Sequence, residues 1–116
     1  MMKTIQRMRT LLGSIALSVL FLSGINPSAL AADTAAGAKV FNANCAACHA
    51  GGGNVINGAK TLKKDALVAN GKDTVEAIVT QVTNGKGAMP SFKGRLNEDQ
   101  IQSVAMYVLD KSEAGW

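Results

Sequence analysis

The 116-residue sequence holds one histidine, two cysteines, two prolines and five aromatic residues. Each shortage closes off a class of protein. One histidine and two cysteines fall short of the four ligands of a structural zinc site. The cysteines, Cys45 and Cys48, lie three positions apart. A bridge between them would close a tiny loop and stabilise little, so a disulfide scaffold is a poor explanation for them. With so few aromatics, a side-chain core in a chain of this size is marginal, and small domains commonly need a staple. No segment alternates apolar and polar residues for long enough to mark a strand. This disfavours the βαβ setting of a thioredoxin-like Cys-x-x-Cys site. There is no internal repeat, linker or low-complexity tract. The apolar run at residues 11–22, LLGSIALSVLFL, is 12 residues long, whereas a bilayer span takes about 20.

That run reads instead as part of an export signal. Lys3, Arg7 and Arg9 precede it, Pro27 and Ser28 break it, and Ala29-Leu30-Ala31 presents the small-x-small pattern cut by signal peptidase. Residues 1–31 are thus expected to be removed, leaving residues 32–116 as one 85-residue domain. The signal contains three of the twelve basic residues and none of the eight acidic ones, so the net charge falls from +4 to +1. The basic balance therefore belongs to the precursor and gives no ground for a nucleic-acid partner.

The remaining pattern is helical. Asp33 or Thr34 is placed to cap a first helix through Gly37, Val40, Phe41 and Asn44. A glycine-rich loop from Gly51 to about Lys60 follows, then a short helix around residues 64–69, stopped by Asn70-Gly71. Asp73 with Glu76 has the spacing of a capping box for a third helix. Val75, Ile78, Val79 and Val82 mark its apolar face, and Asn84-Gly85 its end. After a loop rich in glycine, proline and lysine, Asn97 with Gln100 opens a last helix striped by Ile101, Val104, Ala105, Val108 and Leu109. Gly37 and Tyr107 are matched for a close crossing of the first and last helices.

The chemistry lies in Cys45-Ala46-Ala47-Cys48-His49, the attachment pattern of covalent c-type haem. Thiols three positions apart on a helical turn share one side and can add to two neighbouring vinyl groups, and the adjoining histidine then reaches the iron. Because His49 is the only histidine, bis-histidine ligation within the chain is excluded. The sixth ligand must be methionine, water, lysine or a terminal amine, or the position is empty. Residues 32–116 hold two methionines. Met106 sits in the last helix, where a methionine is normally a gap-filler. Met89 lies in Gly87-Ala88-Met89-Pro90, where glycine permits close approach and proline stiffens the loop. Met89 is the expected axial thioether, its alternative role being packing. A His/Met pair raises the reduction potential and leaves no coordination position open, which implies electron transfer and not catalysis. A ligand-binding or catalytic haem protein with a labile sixth ligand, and a haem-free disulfide protein, are the alternatives.

Three segments, VFNANCAACHAGGGNVI, QVTNGKGAMPSFKGRL and YVLDKSEAGW, closely resemble the cytochrome c6 family of cyanobacteria and algae. The resemblance implies an all-α, class I cytochrome c fold with about four helices around one covalent haem c. It implies a carrier in the thylakoid lumen that moves electrons from the cytochrome b6f complex to photosystem I. A respiratory carrier serving a terminal oxidase is the alternative within the same class. By resemblance, Cys45 and Cys48 are the thioether positions and His49 and Met89 the axial ligands. Gln81 matches a glutamine that tunes the haem, and Arg95 an arginine implicated in docking on photosystem I.

Overall fold

In the computed structural model, the described residues are 27–116, with side chains described from residue 33. The stretch 1–26 of the expected signal lies outside them. Five α-helices are formed among the described residues: α1 (Pro27–Asn44), α2 (Ala46–His49), α3 (Lys64–Ala69), α4 (Val75–Asn84) and α5 (Glu98–Ala114). A 3-10 turn, Ala50–Gly52, follows α2. Extended structure among them is limited to two isolated bridges, Lys86 with Met89 and Lys93 with Leu96. The all-α expectation holds, with the haem-motif turn α2 counting as a fifth helix beyond the four expected.

Two caps differ from expectation. Asp33 and Thr34 lie inside α1, which already begins at Pro27. Proline's fixed φ suits a first helical position, and the alanine-rich stretch behind it continues the helix without a break. For α4, the cap is Thr74 and not Asp73. Its backbone is extended and its hydroxyl accepts the Ala77 N–H at 3.1 Å, leaving Glu76 in the first turn near the positive end of the helix. The third cap is as expected: Asn97 and Gln100 bond each other's backbone N–H groups at 2.8 and 2.9 Å.

The core consists of Val40, Phe41, Leu67, Ile78, Val82, Phe92, Ile101, Val104, Ala105 and Val108. These are the stripes of α1, α4 and α5, with Leu67 and Phe92 contributed by α3 and a loop. The closest approach is between α1 and α5. A Cβ at Gly37 would collide with the Ser103 carbonyl oxygen and come within 2.7 Å of Tyr107 Cβ. Only glycine lets the two backbones meet there, as the sequence implied. Phe41 fills the next turn of the crossing, its ring centroid 5.3 Å from that of Tyr107. The crossing holds the end of α1, and the Cys-x-x-Cys-His turn that follows it, against α5. Gly37→Val is expected to overpack this contact and destabilise the chain by about 1–3 kcal/mol. Thermal unfolding of the holoprotein checks this, and an unchanged midpoint would count against the crossing.

Candidate haem site

All five helices and the loops between them contribute to a cavity of about 600 Å³. Cys45, just before α2, lines it together with Cys48 and His49 of that turn. The following loop contributes Asn54 and Ile56, α4 contributes Ile78, Gln81 and Val82, and the loop after α4 contributes Lys86, Met89, Pro90 and Phe92. Val104 and Val108 of α5 and Phe41 of α1 form apolar wall. Volumes of this order are those of cofactor sites, with apolar walls and a few convergent polar groups.

Cys45 and Cys48 are not bridged to each other. Burial pushes the Cys45 thiol up to about 11, so it remains protonated at neutral pH, while Cys48 is exposed. Two unbridged thiols lining one apolar cavity, with a histidine beside them, fit a covalently attached porphyrin. His49 Nδ1 lies 2.8 Å from the Gly53 carbonyl oxygen. A carbonyl only accepts, so Nδ1 carries the proton and Nε2 keeps the lone pair a metal requires.

Met89 is half-buried in a loop fastened to the end of α4. Ser91 Oγ donates to the Thr83 carbonyl at 2.6 Å, and the Phe92 N–H to that of Val82 at 3.0 Å. Lys86 and Met89 exchange backbone hydrogen bonds, both at 3.0 Å. Gly85, with φ of +66°, starts this loop, and a Cβ there would fall 2.5 Å from the Met89 carbonyl oxygen. The glycine read as a helix stop is therefore also the space into which the methionine loop folds. Gln81 Nε2 donates to Met89 Sδ at 3.6 Å, a length that reflects the size of sulfur. Met106 is partly buried on α5 and does not line the cavity. Arg95 is exposed in the turn after Phe92, also away from the cavity lining.

Two features were not legible in the sequence. Lys60, Lys72 and Lys86 line the cavity and no carboxylate does. They come from three separate loops, so linear charge patterning carries no sign of their convergence. Asn54 closes the loop after His49: its Oδ1 accepts from the Ile56 and Asn57 N–H groups at 3.0 and 2.9 Å, and its Nδ2 donates to the Lys60 carbonyl at 2.9 Å. An asparagine after three glycines is the signal that could have revealed it.

Among known proteins, a family model described as cytochrome c oxidase, cbb3-type, subunit III matches residues 32–108. That stretch contains all four of Cys45, Cys48, His49 and Met89. Cytochrome c6 of Leptolyngbya boryana is 84% identical over 85 residues, covering 73% of this chain and 100% of the relative. The chain belongs to the cytochrome c6 family. Cytochrome c6 of Bumilleriopsis filiformis is 64% identical over 85 residues, covering 73% of this chain and 99% of that protein. Among solved structures, cytochrome c6 of the diatom Phaeodactylum tricornutum superposes with a TM-score of 0.69 at 57% identity, covering 72% of this chain and 99% of that one. As a cytochrome c6, the chain has a class I cytochrome c fold, carries one covalent haem c and serves as an electron carrier.

Proposed function

We propose that this carrier takes electrons from the cytochrome b6f complex and delivers them to photosystem I in the thylakoid lumen. The observation behind the electron-transfer chemistry is that a lone histidine and a loop methionine line one cavity. Together they fill both axial positions and leave none for a substrate, so the protein is not an enzyme. Cys45 and Cys48 hold the haem through thioethers, and His49 and Met89 are the axial ligands. The haem supplies the one-electron couple. The Gly53 carbonyl fixes the tautomer and orientation of His49. The Met89 thioether favours the ferrous state, and the Gln81 amide, by drawing on the sulfur lone pair, favours it further. Lys60, Lys72 and Lys86 set a positive field in the cavity that complements the two haem propionates.

The cavity rim supplies the docking edge. Among its lining residues Ile56 is 68% exposed, and Cys48, Ala88 and Pro90 are exposed as well. This edge offers a partner apolar contact beside the positive charge of Lys60 and Lys86, and Arg95, set off from it, adds charge at the margin. A terminal oxidase is the alternative acceptor for a carrier of this class.

Export requires removal of residues 1–31. The whole of the Leptolyngbya boryana relative aligns over 85 residues, the length left by that cut, and the family-model match starts at residue 32. The intact mass of the exported holoprotein tests the cut and the haem together, and is expected to equal residues 32–116 plus one haem.

Met89→Ala is expected to keep the haem attached, lower the reduction potential and admit exogenous ligands. Gln81→Val is expected to lower the potential by less and admit none. A potential indifferent to Met89→Ala would sink the axial assignment. Arg95→Glu is expected to slow reduction of isolated photosystem I at an unchanged potential. Equal rates for variant and parent would remove Arg95 from the docking surface, and faster reaction with a purified terminal oxidase than with photosystem I would favour the alternative acceptor.

A further inference from the structure

The last residue of the chain is built into the loop that follows His49. Trp116 Nε1 donates to the Leu62 carbonyl at 2.8 Å, and the Leu62 N–H donates to the Gly52 carbonyl, also at 2.8 Å. The indole lies directly on Gly52, where a Cβ would fall 2.5 Å from its Cγ, Cδ1 and Cδ2 atoms. Gly52 is buried, with φ of +78°. The next carbonyl along the chain, that of Gly53, holds His49 Nδ1 at 2.8 Å. On its other side the indole packs against Phe41, with ring centroids 5.4 Å apart, and meets Tyr107 edge-on at 6.3 Å. Its own backbone is held in place: the Trp116 N–H donates to the Lys111 carbonyl at 2.9 Å, and φ is +63°, a value unusual for a bulky residue.

We propose that Trp116 is a positioning residue for the His49 imidazole, acting through the Gly52–Gly53 peptide. A ring that merely filled space would not need the directional N–H bond to Leu62. That bond and the ring's contact together clamp Gly52 from the side and from above, so the carbonyl that follows stays aligned on Nδ1. An aligned acceptor makes the imidazole more electron-rich, which favours the ferric state. Loosening the clamp therefore raises the reduction potential. The proposal rests on His49 being the axial ligand.

The test uses the processed holoprotein with Trp116→Phe, Trp116→Ala and, as a control, Lys64→Ala, which removes only the exposed Lys64–Glu113 ion pair at the same end of α5. Phenylalanine keeps a ring on Gly52 but loses the N–H. Two quantities are read: the reduction potential, and the exchange rate of the His49 Nδ1 proton followed by NMR. Trp116→Phe is expected to shift the potential upward and speed exchange about 2- to 10-fold, the equivalent of one ordinary hydrogen bond. Trp116→Ala is expected to do more of both, and Lys64→Ala to do neither. If Trp116→Phe leaves both quantities unchanged, the indole is packing alone and the proposal fails, whether or not Trp116→Ala folds. If the parent ferric protein lacks paramagnetically shifted His49 ring signals, the axial assignment itself fails, an outcome distinct from any variant's behaviour.

Discussion

The contact between α1 and α5 at Gly37 is the constraint on which the other features depend. Both cysteines and the histidine follow within a dozen residues of it, at the end of α1, and Val104 and Val108 of α5 form the opposing wall of the cavity. If the backbones were held apart by one methyl group, the Cys-x-x-Cys-His turn would lift off that wall. Phe41 and Tyr107 continue the contact toward the C-terminus, where Trp116 joins them. One aromatic cluster thus joins the helix crossing to the ligand loop.

The two sides of the cavity are built by different means. The histidine side relies on local backbone bonds: the His49 N–H to the Cys45 carbonyl at 2.9 Å, the Val55 N–H to that of Cys48 at 3.1 Å, and the imidazole to that of Gly53. The methionine side borrows the unpaired carbonyls at the end of α4, which a helix terminus leaves available. Val82 and Thr83 accept from Phe92, Lys93 and Ser91, so a loop with little regular structure is tied to a rigid element. His49 and the Met89 loop are thus each fixed by hydrogen bonds to backbone carbonyls.

The electrostatics follow the same economy. Eight acidic residues nearly balance the nine basic ones in residues 32–116, yet no carboxylate reaches the cavity and three lysines do. The net charge conceals this asymmetry. It places positive potential at the cofactor site, beside the exposed apolar side chains of Ile56, Ala88 and Pro90.

Helix periodicity, the Asn97–Gln100 cap, the glycine stops and the haem motif were legible in the sequence because each depends on neighbours within one or two turns. A single histidine sufficed to exclude bis-histidine ligation, because that is a matter of count. The shift of the α4 cap by one residue, to Thr74, lay within the reach of local chemistry but not of its spacing rule. The convergence of Lys60, Lys72 and Lys86 and the seat of Trp116 on Gly52 were decided by tertiary structure alone. Each joins residues from separate segments, up to 64 positions apart for Gly52 and Trp116. Such pairings follow from how the helices cross and have no period or motif to announce them.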